Sequence, residues 1–472
     1  MRAHRAAAAA ALVLVAALGA ARSDPSYQTL AEQCRAIGGS ERLCMSIEAF
    51  GSAVAHVCRY AGGPDDVCAF FKGKVISSAL VDTYETTWVH KALTLQRALG
   101  SSLPLGEALF PATHNSFNSA SYPPTLSGLD ANQQYTMTDQ LRMDMRGLEI
   151  DVHWFPSLTA EAGDGLRAPL MCHATGPHLG CTIERNLRDG LIELRAWLDA
   201  HPSEVVLLYI EDHLDDLTGH NRGAAIIEEV LGTTSESDIV FRPIVACEDG
   251  VPLAMSADDI VAAGKQVVIA SACGIGAAWR DLVHSQDDFW VEGGSDDFDA
   301  NPPCGFTAEE YANFWTRSFE DSTWLTTMVN GSAAPMTAAH FSAMVACGVN
   351  MPSFDQLSPE DPRIASLVWS WAPDEPSTDA VGACALLRSD GRFAVDDCGA
   401  SHRAACVAAD GTWTISQDPV SWAGASAACP AGTTFAVPGN ALQNLALNAV
   451  KATAGVADAW LAYAATGSGW SS

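Results

Sequence analysis

Gly147-Leu148-Glu149-Ile150-Asp151-Val152-His153 is the stretch from which the rest of the chain is read. Apolar Leu148, Ile150 and Val152 alternate with polar Glu149, Asp151 and His153, which is the period of a β-strand. Residues two apart in a strand share a face. Both carboxylates therefore project together, and the aliphatic side chains pack the other way. Working outward, residues 108–111 form a short apolar run that leads into His114. Leu187, Leu191, Leu194 and Leu198 share one face of a helix over 187–200, which His201-Pro202 stops. Residues 205–210 read as a buried strand, and 265–270 and 364–371 as further strands. Strands alternating with helices predict an α/β fold with a parallel sheet. Residues 96–376 have the length of a closed (β/α)8 TIM-type barrel, in which chemistry sits at the C-terminal ends of the strands. His114, Glu149, Asp151, His173 and Glu211 all fall at or near such ends.

The flanks differ from this core. Residues 1–23 read as a signal peptide: Arg2 and Arg5, then an apolar run, then small residues. That run is too short and Ala-rich for a permanent anchor, and no later stretch is long and apolar enough to span a bilayer. The expected location is secreted or extracellular. Fourteen cysteines suit that compartment as disulfides; a zinc-thiolate reading lacks the CxxC spacing. Residues 24–95 predict a small helical segment stapled through Cys34, Cys44, Cys58 and Cys68. After Pro376 the composition shifts to Ala, Ser, Gly and Cys, so 377–472 is taken as a separate Cys-containing region. Asn330-Gly331-Ser332 fits a glycosylation acceptor. The formal charge is −30, and −33 once residues 1–23, with three arginines and no acid, are removed. Such a body repels nucleic acid, which is excluded as a partner, and sits awkwardly against an anionic membrane.

Glu149 and Asp151 on one inward face are costly unless a cation or proton relieves them. Glu211 ends the 205–210 strand and adds a third carboxylate, and Asn115 adds an amide oxygen. An all-oxygen set of this kind suits Ca²⁺, with Mg²⁺ as the alternative. The bland reading is a strand with a solvated acidic face. His114 and His173 supply imidazoles that exchange protons near neutral pH; taken singly, each is as readily a satisfied polar residue or a bystander to the Cys172 disulfide.

Read together, Ala112-Thr113-His114-Asn115-Ser116-Phe117, Arg146-Gly147-Leu148-Glu149-Ile150-Asp151-Val152-His153, Cys172-His173-Ala174 and Ile210-Glu211-Asp212-His213 resemble the catalytic X region of the phosphatidylinositol-specific phospholipase C family. The resemblance covers residues 105–213 well and extends loosely to 375. It implies a phosphoric diester hydrolase with His114 and His173 as the catalytic pair and Asn115, Glu149, Asp151 and Glu211 as Ca²⁺ ligands. It also implies attack by a neighbouring hydroxyl on phosphorus, with His114 steadying the charged phosphorane, His173 protonating the leaving alcohol and Glu149 as base. No lysine-rich cluster over 214–360 fits a polyphosphorylated headgroup, so a phospholipid or another small phosphodiester is the expected partner. Trp279, Trp290, Trp315 and Trp324 are candidates for membrane contact at the barrel mouth. Segments around Cys384–Cys406 and 419–462 are similar, in reversed order, to halves of a C-type lectin-like domain, and a disulfide-held appendage is expected there. Two alternatives stand beside this reading: a glycerophosphodiester phosphodiesterase, whose Arg-Gly after the first histidine is replaced here by Asn115-Ser116, and a catalytically silent lipid- or glycan-binding protein.

Overall fold

Leu148, Ile150, Val152 and Trp154 are buried on one side of their strand, against Leu187, Leu191, Leu194 and Leu198 of a helix on that side. The computed structural model describes residues 78–122, 131–157, 165–173, 181, 184–232, 238–252, 254–286, 318–320, 336–467 and 469–472. Among the described residues ten strands form the first sheet: β1 (Ala112–Thr113), β2 (Gly147–Pro156), β3 (Arg167–Met171), β4 (Arg185–Asn186), β5 (Val206–His213), β6 (Val240–Phe241), β7 (Val267–Ser271), β8 (His284–Ser285), β9 (Ser318–Glu320) and β10 (Met351–Phe354). The order is β6-β7-β5-β2-β1-β10-β9, every neighbour parallel, with β8 also parallel on β7. β3 and β4 extend β2 as antiparallel partners. From β1 the sheet runs in chain order through β2, β5, β7 and β8 one way and through β10 and β9 the other. That is the succession of a wound (β/α) fold, as the alternation of strand and helix predicts. Residues 287–317, between β8 and β9, lie outside the described residues, and closure of the sheet with them.

Among the described residues the helices are α1 (Ser78–Tyr84), α2 (Trp88–Gly100), α3 (Met137–Arg142), α4 (Leu187–Ala200), α5 (Leu217–Leu231), α6 (Ala257–Ala262), α7 (Ala277–Arg280), α8 (Ala338–Ala346), α9 (Pro362–Ser366), α10 (Ala425–Ala428) and α11 (Ala441–Thr453). α4 starts where the sequence places it, because the Asn186 side chain accepts from the Arg188 N–H. The other face of the sheet is apolar at its base, where Ala112, Leu207, Val268, Ala270 and Met351 pack with Leu105 and Phe110. A Cβ on Gly147 would lie 2.7 Å from the Ala112 Cβ and 3.2 Å from Met351 Cε, so only glycine lets β1, β2 and β10 converge there. Further along the same face β2 presents Glu149, Asp151 and His153, and β5 presents Tyr209, Glu211 and His213.

Two expectations are corrected. Residues 364–371 are not a strand: Ile364 lies in α9, whose Asp361 N-cap accepts from the Arg363 N–H and whose first residue is Pro362. A cap followed by Pro at the first helical position starts a helix in spite of the apolar run behind it. Nor does Trp279 reach toward a membrane; it is fully buried beneath α5, its Nε1–H donating to the Ala272 carbonyl at 3.1 Å. Trp290, Trp315, Trp324, Asn330, the signal peptide and the first cysteines through Cys68 lie outside the described residues.

The C-terminal region builds a second sheet from β11 (Ala383–Leu387), β12 (Phe393–Asp397), β13 (Arg403–Ala408), β14 (Trp413–Ile415), β15 (Thr433–Phe435), β16 (Ala459–Thr466) and β17 (Gly469–Ser471), with the core order β12-β11-β16-β13-β14. Cys384–Cys398 and Cys406–Cys429 staple it. Its Leu387, Leu447 and Tyr463 share a buried cluster with Phe341, Phe354 and Trp371.

Candidate active site

β1 ends at Thr113 and delivers His114 to the open edge of the sheet. The His114 N–H donates to the Phe354 carbonyl at 3.1 Å, and the Gln133 amide donates at 2.7 Å to the carbonyls of both His114 and Phe354. Asn115 then takes a left-handed φ of 46°, which asparagine tolerates better than most residues. That turn sends its backbone N–H toward Glu149 Oε2 at 3.3 Å. Ser116 closes the loop onto β2: its N–H donates to the Glu149 carbonyl, and its hydroxyl accepts from the Glu149 N–H, each at 2.9 Å.

The three carboxylates expected to hold a cation do come together. Glu149, Asp151 and Glu211 each offer an oxygen within 4.8 Å of the others, the first two buried and the third half-buried. Register explains it, because Asp151 lies directly opposite Glu211 across the parallel β2–β5 pair. Asn115 joins them. With its amide nitrogen turned toward Asp151 it donates at 3.0 and 3.1 Å, and its oxygen accepts from His114 Nε2 at 2.9 Å. A half-turn of the amide presents the oxygen at that spot instead, next to Asp151 of the carboxylate cluster. An all-oxygen cluster of this composition fits a hard divalent cation.

The imidazoles have partners that the sequence reading missed. Asp355, which follows β10 and is 1 % exposed, sits 3.2 Å from His114 Nδ1. Asn132 donates to Asp355 at 3.1 and 3.3 Å, and its own side-chain oxygen accepts from Asn118 at 2.7 Å. The Asn118 nitrogen also lies 3.4 Å from Nδ1 of His173. One polar chain, His173–Asn118–Asn132–Asp355–His114, thus joins the two predicted histidines. His173 itself is exposed, held just past β3 by the Cys172 N–H to the Asp151 carbonyl at 3.2 Å and by the Cys172–Cys181 disulfide. Asp355 had one available signal: a carboxylate follows a short apolar strand, as His114 follows β1.

At the end of β5 the side chains alternate. Asp212 turns outward and meets His220 of α5 at 2.7 Å, while Glu211 and His213 face the site. His213 Nε2 lies 2.8 Å from Glu211 Oε1. The hydrogen bond from His213 holds the Glu211 carboxyl below its usual range, and that bond in turn raises the His213 imidazole.

Residues 71–361 match the family described as the Rv2075c PI-PLC-like domain. The uncharacterized protein Rv2075c of Mycobacterium tuberculosis is 37% identical over 458 residues, covering 93% of this chain and 92% of that one. A PI-PLC X domain-containing protein of Arabidopsis thaliana is 29% identical over 119 residues, 24% of this chain and 25% of its own. Among solved structures, the phosphatidylinositol-specific phospholipase C of Listeria monocytogenes aligns with a TM-score of 0.39 at 14% identity, over 58% of this chain and 97% of that one.

Proposed function

The chain belongs to the Rv2075c PI-PLC-like domain family, and from that premise we propose that it is a phosphodiesterase of the phosphatidylinositol phospholipase C type. The observation that carries this reading is a single cluster holding carboxylate oxygens of Glu149, Asp151 and Glu211 within 4.8 Å of one another beside His114, with His173 joined through Asn118, Asn132 and Asp355.

In this reading Asn115, Glu149, Asp151 and Glu211 hold Ca²⁺, which when bound neutralises phosphate charge and acidifies the attacking hydroxyl. Asp355 accepts from His114 Nδ1 and fixes the ring, and Nε2 exchanges its 2.9 Å contact with the Asn115 amide for the reacting phosphate, where it steadies developing negative charge. Glu149 takes the proton of the neighbouring hydroxyl, whose oxygen bonds to phosphorus. The bond from phosphorus to the leaving alcohol breaks, and His173 delivers a proton to that alcohol oxygen. Asn118, whose side-chain nitrogen lies 3.4 Å from His173 Nδ1, helps set the orientation of the ring. A cyclic phosphate and a free alcohol result.

Lipid as the source of the diester is supported by the rim on which the site opens. Leu217 opens α5 just past β5, Ile244, Val245 and Ile275 lie on the loops that follow β6 and β7, and all are about half exposed or more. The Cys247–Cys273 disulfide ties these two loops together. Among the described residues no helix is long and apolar enough to cross a membrane. Location outside the reducing cytoplasm is supported by the absence of a free cysteine among the described residues.

The test is release of product from phosphatidylinositol, a water-soluble inositol phosphodiester and glycerophosphodiesters, with Ca²⁺ titrated and then chelated. A cyclic inositol phosphate formed only with Ca²⁺ is expected. Turnover indifferent to chelator would remove the cation from the reading, and glycerol 3-phosphate as sole product would replace the reaction.

A further inference from the structure

Glu149, Asp151 and His153 on β2 continue beyond the candidate cation cluster. The inward face of the β2–β5 pair carries three successive rungs: Glu149 with Tyr209, Asp151 with Glu211, and His153 with His213. The third rung lies about 7 Å further toward the open end, two residues along each strand. It contains no acid and no apolar side chain, only two imidazoles. Their rings stack, centroids 4.3 Å apart and 21° from parallel. His153 is buried at 1 % exposure, while His213 is half-buried. His213 therefore rests on a fixed platform, and its Nε2 lies 2.8 Å from Glu211 Oε1.

Glu211 is the most exposed of the three clustered carboxylates. Glu149 and Asp151 are buried within β2, whereas a half-exposed glutamate has three rotatable bonds and samples several positions in water. A side chain with that freedom loses rotamer entropy whenever it ligates an ion. A hydrogen bond to one oxygen selects the rotamer and leaves the second oxygen for the ion. Partners of this kind orient metal-binding side chains in general.

We propose that His213 is a positioning residue for the candidate cation site: through Nε2 it holds Glu211 in its ligating rotamer, with His153 as the platform that fixes the His213 ring. This rests on the cation reading of the preceding section and adds to it a residue that touches neither ion nor substrate. His213 is not itself a ligand in this arrangement, since the nitrogen facing the cluster is engaged by Glu211.

The test is calorimetric titration of the full chain with CaCl₂, which reads binding without substrate. H213F keeps a ring on His153 but has no donor. H213Q loses the stack but keeps an N–H near the Nε2 position. H213F is expected to weaken Ca²⁺ binding by roughly 10- to 100-fold, and H213Q to recover most of that loss. Circular dichroism at matched temperature reports whether each variant is folded, and H213Q serves if H213F is not. Equal Ca²⁺ affinity in wild type and H213F overturns the proposal while leaving the cation site intact. So does an H213Q variant as weak as H213F, which would assign the effect to packing of the ring. A wild-type chain that shows no Ca²⁺ binding removes the cation reading itself, and this inference with it.

Discussion

Asp355 illustrates what a single side chain contributes at this site. Its carboxylate is buried, accepts from Asn132, and faces His114 Nδ1 at 3.2 Å. Replacing it with asparagine keeps the size and removes the charge that orients the imidazole. D355N is expected to lower kcat by roughly 10²- to 10⁴-fold with KM changed far less; an unchanged kcat would detach Asp355 from the chemistry. Asp151 makes the complementary case. D151N removes one charged oxygen from a cluster of three, so the Ca²⁺ concentration for half-maximal activity should rise while saturating turnover falls less. His114, Glu149, Asp151, His173 and Glu211 were legible from sequence because each follows or lies within a short apolar strand. Asp355 was not, because its partner lies 241 residues away in the chain.

At the scale of elements, close approaches and seams decide stability. Gly219 sits in the first turn of α5, where an added Cβ would lie 2.1 Å from the Leu214 carbonyl oxygen and 2.9 Å from Trp154. G219A must push α5 off the end of β5, at a cost of about 1–3 kcal/mol, readable as a lower urea midpoint. The seam between α2 and the base of the sheet is ionic. Tyr84, His90 and Arg97 converge on Asp144, and Arg97 and Arg146 both reach Glu204. Burial alone would raise the Glu204 carboxyl, but Arg146 and Arg97 outweigh it and bring it down to about 2 from 4.5. A carboxyl depressed in the folded state stabilises above its unfolded value and loses that contribution as pH falls through the folded one. The seam should therefore weaken between pH 4.5 and 2, by about 3 kcal/mol from this group. E204Q should be less stable at neutral pH and flatter across that acid window; an acid limb as steep as wild type would place the sensitivity elsewhere. α9 carries the lesson for element assignment. Asp361 and Pro362 at the helix start outweighed the apolar run from Ile364, which periodicity alone assigns to a strand.

For the whole molecule, charge and shape pull against each other. A formal charge of −30 opposes approach to an anionic bilayer, while Leu217, Ile244, Val245 and Ile275 favour contact on the rim of the site. Raising ionic strength from low salt to about 0.15 M shortens the Debye length to about 8 Å. Turnover of phosphatidylinositol in anionic vesicles should then rise several-fold, with a soluble diester little affected. An I244E/I275E double change should depress vesicle turnover and spare the soluble substrate; equal losses on both would move the lipid contact off these loops. What the sequence determined by itself was local: the alternation of strand and helix, the shared face of Glu149 and Asp151, and α4 with its stop at His201-Pro202. Those follow from periodicities of two and 3.6 residues, which neighbours in the chain impose on one another. The tertiary structure alone decided that Asp151 faces Glu211, that His153 stacks on His213, and that Asp355 reaches His114. Each of these depends on the register between parallel strands far apart in sequence, and parallel register leaves no mark in any single segment.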